Sequence, residues 1–192
     1  TIKPRVLVFA GSAREASLNK KLARVAARAV NENGGEATMV DLRDYPMPIY
    51  EGDLEAKEGM PPFARNLREL FVSHQAFLIV SPENNGTIPS LLKNAIDWLS
   101  RDTDGKSGLE HYRGKVVALM AASPGAFGGV LCLTHLRQSL TKLLAHVIPD
   151  QFPLPKADHA FGEDGSLKEA WQQKSVQTVV RQLIETTSRL SG

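Results

Sequence analysis

Short uninterrupted apolar runs alternate along the chain with longer stretches whose apolar positions recur every three to four residues. The first run, Arg5 to Ala10 (Arg-Val-Leu-Val-Phe-Ala), has the makeup of a strand buried on both faces. From Leu18, the residues Leu22, Val25, Ala26 and Ala29 keep helical spacing, and Gly34-Gly35 ends that helix. Ala37 to Asp41 reads as a second strand. Leu42 to Gly59, carrying Pro46, Pro48, Gly52 and Gly59, fits neither period and is expected to be a long loop. Pro61-Pro62 opens a helix to about Ser73, since proline is tolerated in a helix's first turn. Ala76 to Ser81 is a third strand, and Ile88 to Ser100 a helix with Pro89 in its first turn. Lys115 to Ala122 is a fourth strand, followed by a helix marked by Leu133, Leu136, Leu140 and Leu143. Ala145 to Ile148 reads as a short last strand and Pro149 to Gly165 as mostly loop. Leu167, Ala170, Trp171, Val179, Val180 and Leu183 outline a closing helix.

Strands that alternate with helices predict an α/β three-layer sandwich, a parallel sheet covered on both faces through right-handed crossovers. For five strands the simplest arrangement is the flavodoxin-like order 2-1-3-4-5. In such a sheet a ligand sits beyond the carboxyl ends of the strands, beside strand 1 where the winding reverses. That rule selects the loops after Ala10, Val80 and Ala122.

Composition narrows the chemistry by exclusion. At 192 residues one domain, 1–192, is expected. Its 23 basic against 21 acidic residues give +2, scattered rather than clustered, which argues against nucleic acid. No apolar run approaches the roughly 18 residues of a membrane span, and Val6 to Ala10 is too short for a signal-peptide core. One cysteine, Cys132, makes no intramolecular disulfide and anchors no metal cluster, so a cytoplasmic protein is expected. His74, His111, His135, His146 and His159 lack metal-ligand spacing. Ser123 stands outside a G-x-S-x-G elbow, so a hydrolase has no nucleophile signature.

The first loop, Gly11-Ser12-Ala13-Arg14-Glu15-Ala16-Ser17-Leu18-Asn19, gathers hydroxyls, an arginine and an asparagine where a helix begins. Backbone donors, hydroxyls and a cation are what a phosphate monoester requires. Each charge-assisted hydrogen bond contributes about 1.5–3 kcal/mol, against about 4–15 kcal/mol lost on association. A phosphate alone would therefore bind weakly, and the rest of the ligand must add buried contact. The same residues also suit an ordinary N-cap, with Ser17 capping and Arg14 solvated. Neither G-x-x-x-x-G-K-[ST] nor G-x-G-x-x-G is present. The second loop, Ser81-Pro82-Glu83-Asn84-Asn85-Gly86-Thr87-Ile88-Pro89, is stiffened by its prolines and suits the edge of a flat heterocycle, or simply an Asn-Gly turn. The third, Ser123-Pro124-Gly125-Ala126-Phe127-Gly128-Gly129, has glycines that allow close approach to a ring, or that make a plain βα turn.

Together these segments resemble the NAD(P)H-dependent FMN reductase family of flavodoxin-like proteins, which includes quinone, azo-dye and chromate reductases. The first loop is similar to the family's G-S-x-R-x-x-S-x-N motif at Gly11, Ser12, Arg14, Ser17 and Asn19. The second is similar to S-P-E-Y-N-G, with an L-K-N-A-x-D-W-L-S-R helix following at Leu92 to Arg101, and the third to S-P-G-x-x-G-G. Asn84 stands where the family usually has Tyr. The resemblance, which runs to roughly Pro149, implies FMN as cofactor and NADPH or NADH as reductant. It places the phosphate on Ser12, Arg14, Ser17 and Asn19, with Gly11 and Leu18 in the same loop. Pro82, Glu83, Asn84, Asn85 and Gly86 would edge the isoalloxazine, with Ser123 and Gly125 near its other side. It further implies ping-pong transfer to a small-molecule electron acceptor, no acid–base side chain being obligatory, and a homodimer or homotetramer. Ile96, Trp98 and Leu99 suit either an oligomer contact or core packing, and Tyr50 and Glu51 in the Leu42–Gly59 loop are expected to shape acceptor choice. A flavodoxin-type electron carrier and a flavin-binding redox sensor are the alternative readings.

Overall fold

The computed structural model describes residues 3–191. Five strands, β1 (Arg5–Ala10), β2 (Glu36–Asp41), β3 (Ala76–Val80), β4 (Val116–Ala122) and β5 (His146–Leu154), pair in parallel in the order β2-β1-β3-β4-β5. Alternation along β1 sends Val6, Val8 and Ala10 into one core and Leu7 and Phe9 into the other. The first core is closed by α1 (Leu18–Glu32) and α6 (Ala170–Leu190). The second is closed by α3 (Pro62–Ser73), α4 (Ser90–Leu99) and α5 (Val130–Lys142). The apolar runs of β1, β3 and β4 are buried on both faces because helices cover both.

Two expectations are corrected. The Leu42–Gly59 segment is not simply a loop: it holds a 3₁₀ turn at Leu42–Asp44 and helix α2 (Gly52–Glu58). Glu51 starts α2 by accepting from the Asp53 and Leu54 N–H groups at 2.7 and 2.9 Å. The segment is strapped to α4, where the Pro48 carbonyl accepts from Trp98 Nε1 at 2.7 Å and Asn94 Oδ1 accepts from the Tyr50 N–H at 2.8 Å. Likewise, β5 does not stop at Ile148 but runs to Leu154 through Pro149 and Pro153. It is an edge strand, and its register against β4 shifts between Val117 and Leu119, so the missing proline N–H groups break no obligatory ladder. Ile96, Trp98 and Leu99 are all buried within this one chain, which decides for core packing.

Candidate functional site

The loops after β1, β3 and β4 converge on a cleft of about 700 Å³ at the carboxyl ends of the strands, within the usual size of a ligand pocket. Gly11 continues the ladder by donating to the Val80 carbonyl at 2.9 Å. A Cβ there would lie 2.9 Å from Leu92 Cδ2, so glycine is what lets α4 approach the loop. Ser12 Oγ accepts from the Arg14 N–H at 3.3 Å and folds the turn. Ser17 Oγ accepts from the Lys20 N–H at 3.3 Å and caps α1. No acidic residue occupies the first turn of α1, so its positive end faces the cleft uncompensated. Arg14 is exposed at the cleft, its guanidinium without a partner among the described residues.

A frame behind this loop was not anticipated from the sequence. Arg43 donates through Nε and Nη2 to the Ala13 carbonyl at 3.0 and 2.8 Å, holding the loop from the β2 side. Lys20 and Asp41 form an ion pair at 2.6 Å between α1 and the end of β2. Burial alone would raise the Asp41 pKa, but the Lys20 hydrogen bond, the Arg43 N–H and the two cations outweigh it and hold it below the usual carboxylate range. Asn19 is buried and exchanges two hydrogen bonds with Ala122, accepting from its N–H at 2.8 Å and donating to its carbonyl at 2.9 Å. Its side chain therefore ties α1 to β4, with one amide hydrogen left over for a ligand.

The second and third loops are more committed to internal contacts than their sequences indicate. Asn84 and Thr87 exchange backbone hydrogen bonds at 3.1 Å around Asn85 and Gly86, whose φ values of 52° and 74° make a tight two-residue turn. Pro82, Glu83 and Asn84 line the cleft, whereas Asn85 and Gly86 sit at the turn tip outside its lining. The Glu83 carboxylate accepts from the Cys132 N–H at 3.0 Å and so caps α5. Ser123 lines the cleft and Gly125 does not; the Gly125 carbonyl instead accepts from the Lys156 N–H at 3.2 Å. Gly128 (φ 62°) would put a Cβ 2.7 Å from the Leu154 backbone, and Gly129 (φ 86°) one 2.9 Å from Ala121 Cβ. Those glycines are accounted for by approach to β5 and β4, not to a ring.

Ala13, Ala16, Pro89, Ser90, Leu91, Ala122, Pro124 and Asp158 complete the lining, and of these Ser90, Leu91 and Asp158 lie outside the loops and strand ends that the sequence singled out. Asp158 arrives from the turn after β5, a segment with no period to read. Two residues of chemically capable type, Arg101 and Cys132, are structural here. Arg101 pairs with Glu55 at 3.2 Å and lies over the Tyr50 ring. Burial pushes the Cys132 thiol up to about 11, which removes a thiolate at neutral pH.

Donors without acceptors at the α1 end, with a cation beside them, thus line a groove between three strand ends of a flavodoxin-like sheet. The model of the NADPH-dependent FMN reductase family matches residues 4–159, and the chain belongs to that family of oxidoreductases, whose cofactors are FMN and NADPH. It is 35% identical over 146 residues to a quinone reductase of Escherichia coli, covering 76% of this chain and 74% of the relative. It is 31% identical to an NAD(P)H-dependent FMN reductase of Pseudomonas aeruginosa, across 98% of this chain and 97% of the relative. Among solved structures it is similar to the flavoenzyme NAD(P)H:(acceptor) oxidoreductase FerB of Paracoccus denitrificans, with a TM-score of 0.80 and 27% identity over 97% and 98% of the two chains.

Proposed function

We propose that this chain binds FMN in the cleft between the β1, β3 and β4 loops and passes reducing equivalents from NADPH or NADH, in ping-pong order, to a quinone, flavin, azo or metal-oxyanion acceptor. The observation that carries the reading is the α1 N-terminus, open to the cleft and free of first-turn acids, with the unpaired Arg14 beside it. The donor set fits a phosphate monoester: the N–H groups of the first turn, the Ser12 hydroxyl, the remaining Asn19 amide hydrogen and the Arg14 guanidinium. Bound there, FMN would supply the two-electron redox chemistry between nicotinamide and acceptor. The protein's part is orientation and charge. Pro82 and Pro124 give the groove rigid walls, and Glu83 fixes the second loop against α5. Arg14 and the α1 dipole balance the phosphate's charge. With Asn84 in place of an aromatic residue, that edge of the groove offers hydrogen bonding rather than stacking to an incoming substrate.

A homodimer or homotetramer, a single domain and a cytoplasmic setting belong to the same proposal, supported by the family membership and the dependence on NAD(P)H. Among the described residues no helix is long and apolar enough to cross a membrane. The test is a visible spectrum of the FMN-reconstituted protein, followed anaerobically as NADPH is added. Bleaching of the bound-flavin band, with recovery when a quinone is supplied, is the expected result. A bound flavin that neither NADPH nor NADH bleaches would instead mark an electron carrier or sensor.

A further inference from the structure

The Ala13–Arg14 peptide of the first loop is held from outside the cleft. Ala13 lines the cleft and Arg43 does not. From the 3₁₀ turn after β2, Arg43 donates to the Ala13 carbonyl through both Nε and Nη2, at 3.0 and 2.8 Å. Both lone pairs of that oxygen are thereby engaged, and the carbonyl is turned to the β2 side. The arginine is itself anchored. Asp41 Oδ1 accepts from the Arg43 N–H at 3.0 Å, and Asp41 Oδ2 from Lys20 Nζ at 2.6 Å. The first turn of α1, the end of β2 and the first loop are thus linked as one unit.

The contact does more than satisfy a carbonyl. It is exposed, so water would serve that oxygen equally well, whereas fixing an arginine side chain costs rotamer entropy. What two donors on one oxygen add is direction. Every described peptide bond is trans, and in a trans peptide the carbonyl and the N–H point opposite ways. With the carbonyl turned to Arg43, the Arg14 N–H is turned to the cleft wall. There it meets Ser12 Oγ at 3.3 Å, longer than a usual N–H···O bond. That N–H is loosely held and free to take a stronger acceptor. The same peptide turned over would present its carbonyl oxygen to the cleft and repel an anion there.

We propose that Arg43 is a positioning residue for the phosphate of FMN. It locks the Ala13–Arg14 peptide with its N–H toward the α1 end of the cleft and its carbonyl away, so that the main chain and the side chain of Arg14 act on the same anion. This role rests on the FMN reading given above. It adds one backbone donor to the phosphate's set and places control of that donor on a residue outside the cleft.

The test titrates FMN and riboflavin, by flavin fluorescence, into the FMN-free full chain and compares their dissociation constants. The parent is expected to prefer FMN. Arg43→Ala is expected to weaken FMN about tenfold, the worth of one charge-assisted hydrogen bond, and to leave riboflavin, which has no phosphate, unchanged. Arg43→Lys keeps the charge and a single donor and is expected to fall between. The factor separating Arg43→Ala from the parent should persist at raised salt, since the direction of a peptide is not screened while attraction to an exposed cation is. An FMN preference that survives intact in Arg43→Ala overturns the role. So does an equal loss for both flavins, which marks general damage to the loop, or a loss that salt removes, which marks charge alone. A parent that binds both flavins equally fails the phosphate site itself, and this role with it.

Discussion

Helices α1 and α5 both begin at the carboxyl edge of the sheet, yet their first turns are completed differently. At α5 the left-handed Gly129 supplies no side-chain cap, and Glu83 crosses from the neighbouring loop to accept from the Cys132 N–H. At α1 Ser17 takes one N–H, no acidic residue follows, and the adjacent Arg14 is a cation. One helix end is thus neutralised by the protein's own carboxylate, while the other is left positive and open. A helix N-terminus becomes a ligand site where the fold withholds the acceptor it could have provided. The same contrast separates the three loops: the first presents donors, whereas the second and third spend much of theirs on internal contacts, Asn84 with Thr87, Glu83 with the start of α5 and Gly125 with Lys156.

The largest effect that sharpens this contrast is expected in the third loop. Gly128→Val forces a branched side chain into φ 62° against the Leu154 backbone, and stability should fall by about 3 kcal/mol or more. Urea unfolding measures the loss, and the FMN affinity of the protein that remains folded should change less than in Arg14→Ala, since Gly128 itself lies outside the cleft lining. Arg14→Ala should act in reverse. It removes about 1.5–3 kcal/mol of ligand binding, a rise on the order of 10- to 100-fold in the FMN dissociation constant, with the urea midpoint of the FMN-free protein unmoved. Flavin fluorescence titration reads the first quantity. Should Arg14→Ala unfold the protein and keep its FMN, the two regions would have exchanged roles.

Glu83→Ala should cost about 1 kcal/mol of stability through the lost α5 cap, with a smaller change in FMN affinity than Arg14→Ala produces. Thermal melts with and without FMN compare the two. The smallest effect concerns the Lys20–Asp41 pair behind the first loop. The folded-state Asp41 pKa lies below its ordinary 3.8, so the pair's stabilisation is present above that value and is lost as pH falls through the lower, folded one. Asp41→Asn should therefore flatten the acid limb of a stability profile below about pH 4 and leave its slope near neutrality unchanged.

The sheet and most helices were legible because burial on both faces writes itself as uninterrupted apolar runs, and a half-buried helix as a 3.6-residue period. Helix α2 escaped because none of its residues is buried, so it carries no apolar stripe, and Gly52 sits in its first turn. The second half of β5 escaped because Pro149 and Pro153 read as loop unless the strand is known to be at an edge. The strand-end rule selected the three loops and the family resemblance the residues within them, of which Gly11, Ser12, Arg14, Ser17, Leu18, Pro82, Glu83, Asn84 and Ser123 line the cleft. The glycines of the third loop were left open between a ligand and a plain βα turn, because the same residue type answers either steric demand, and the close neighbours of Gly128 and Gly129 prove to be β5 and β4. Asn19 shows the converse, a polar residue in a ligand loop whose main partner, Ala122, is 103 positions away. Arg43, Lys20 and Asp41 give no local signal, since each acts across elements that only the folded sheet brings together.

The central claim is that the open end of α1 holds the phosphate of FMN. The most direct measurement compares the affinities of the unliganded protein for FMN and for riboflavin, identical but for the phosphate, by fluorescence titration in one buffer. Two or more charge-assisted hydrogen bonds to the phosphate predict riboflavin binding at least about 100-fold more weakly, with the gap shrinking in Arg14→Ala. Equal affinities for the two flavins would contradict the account.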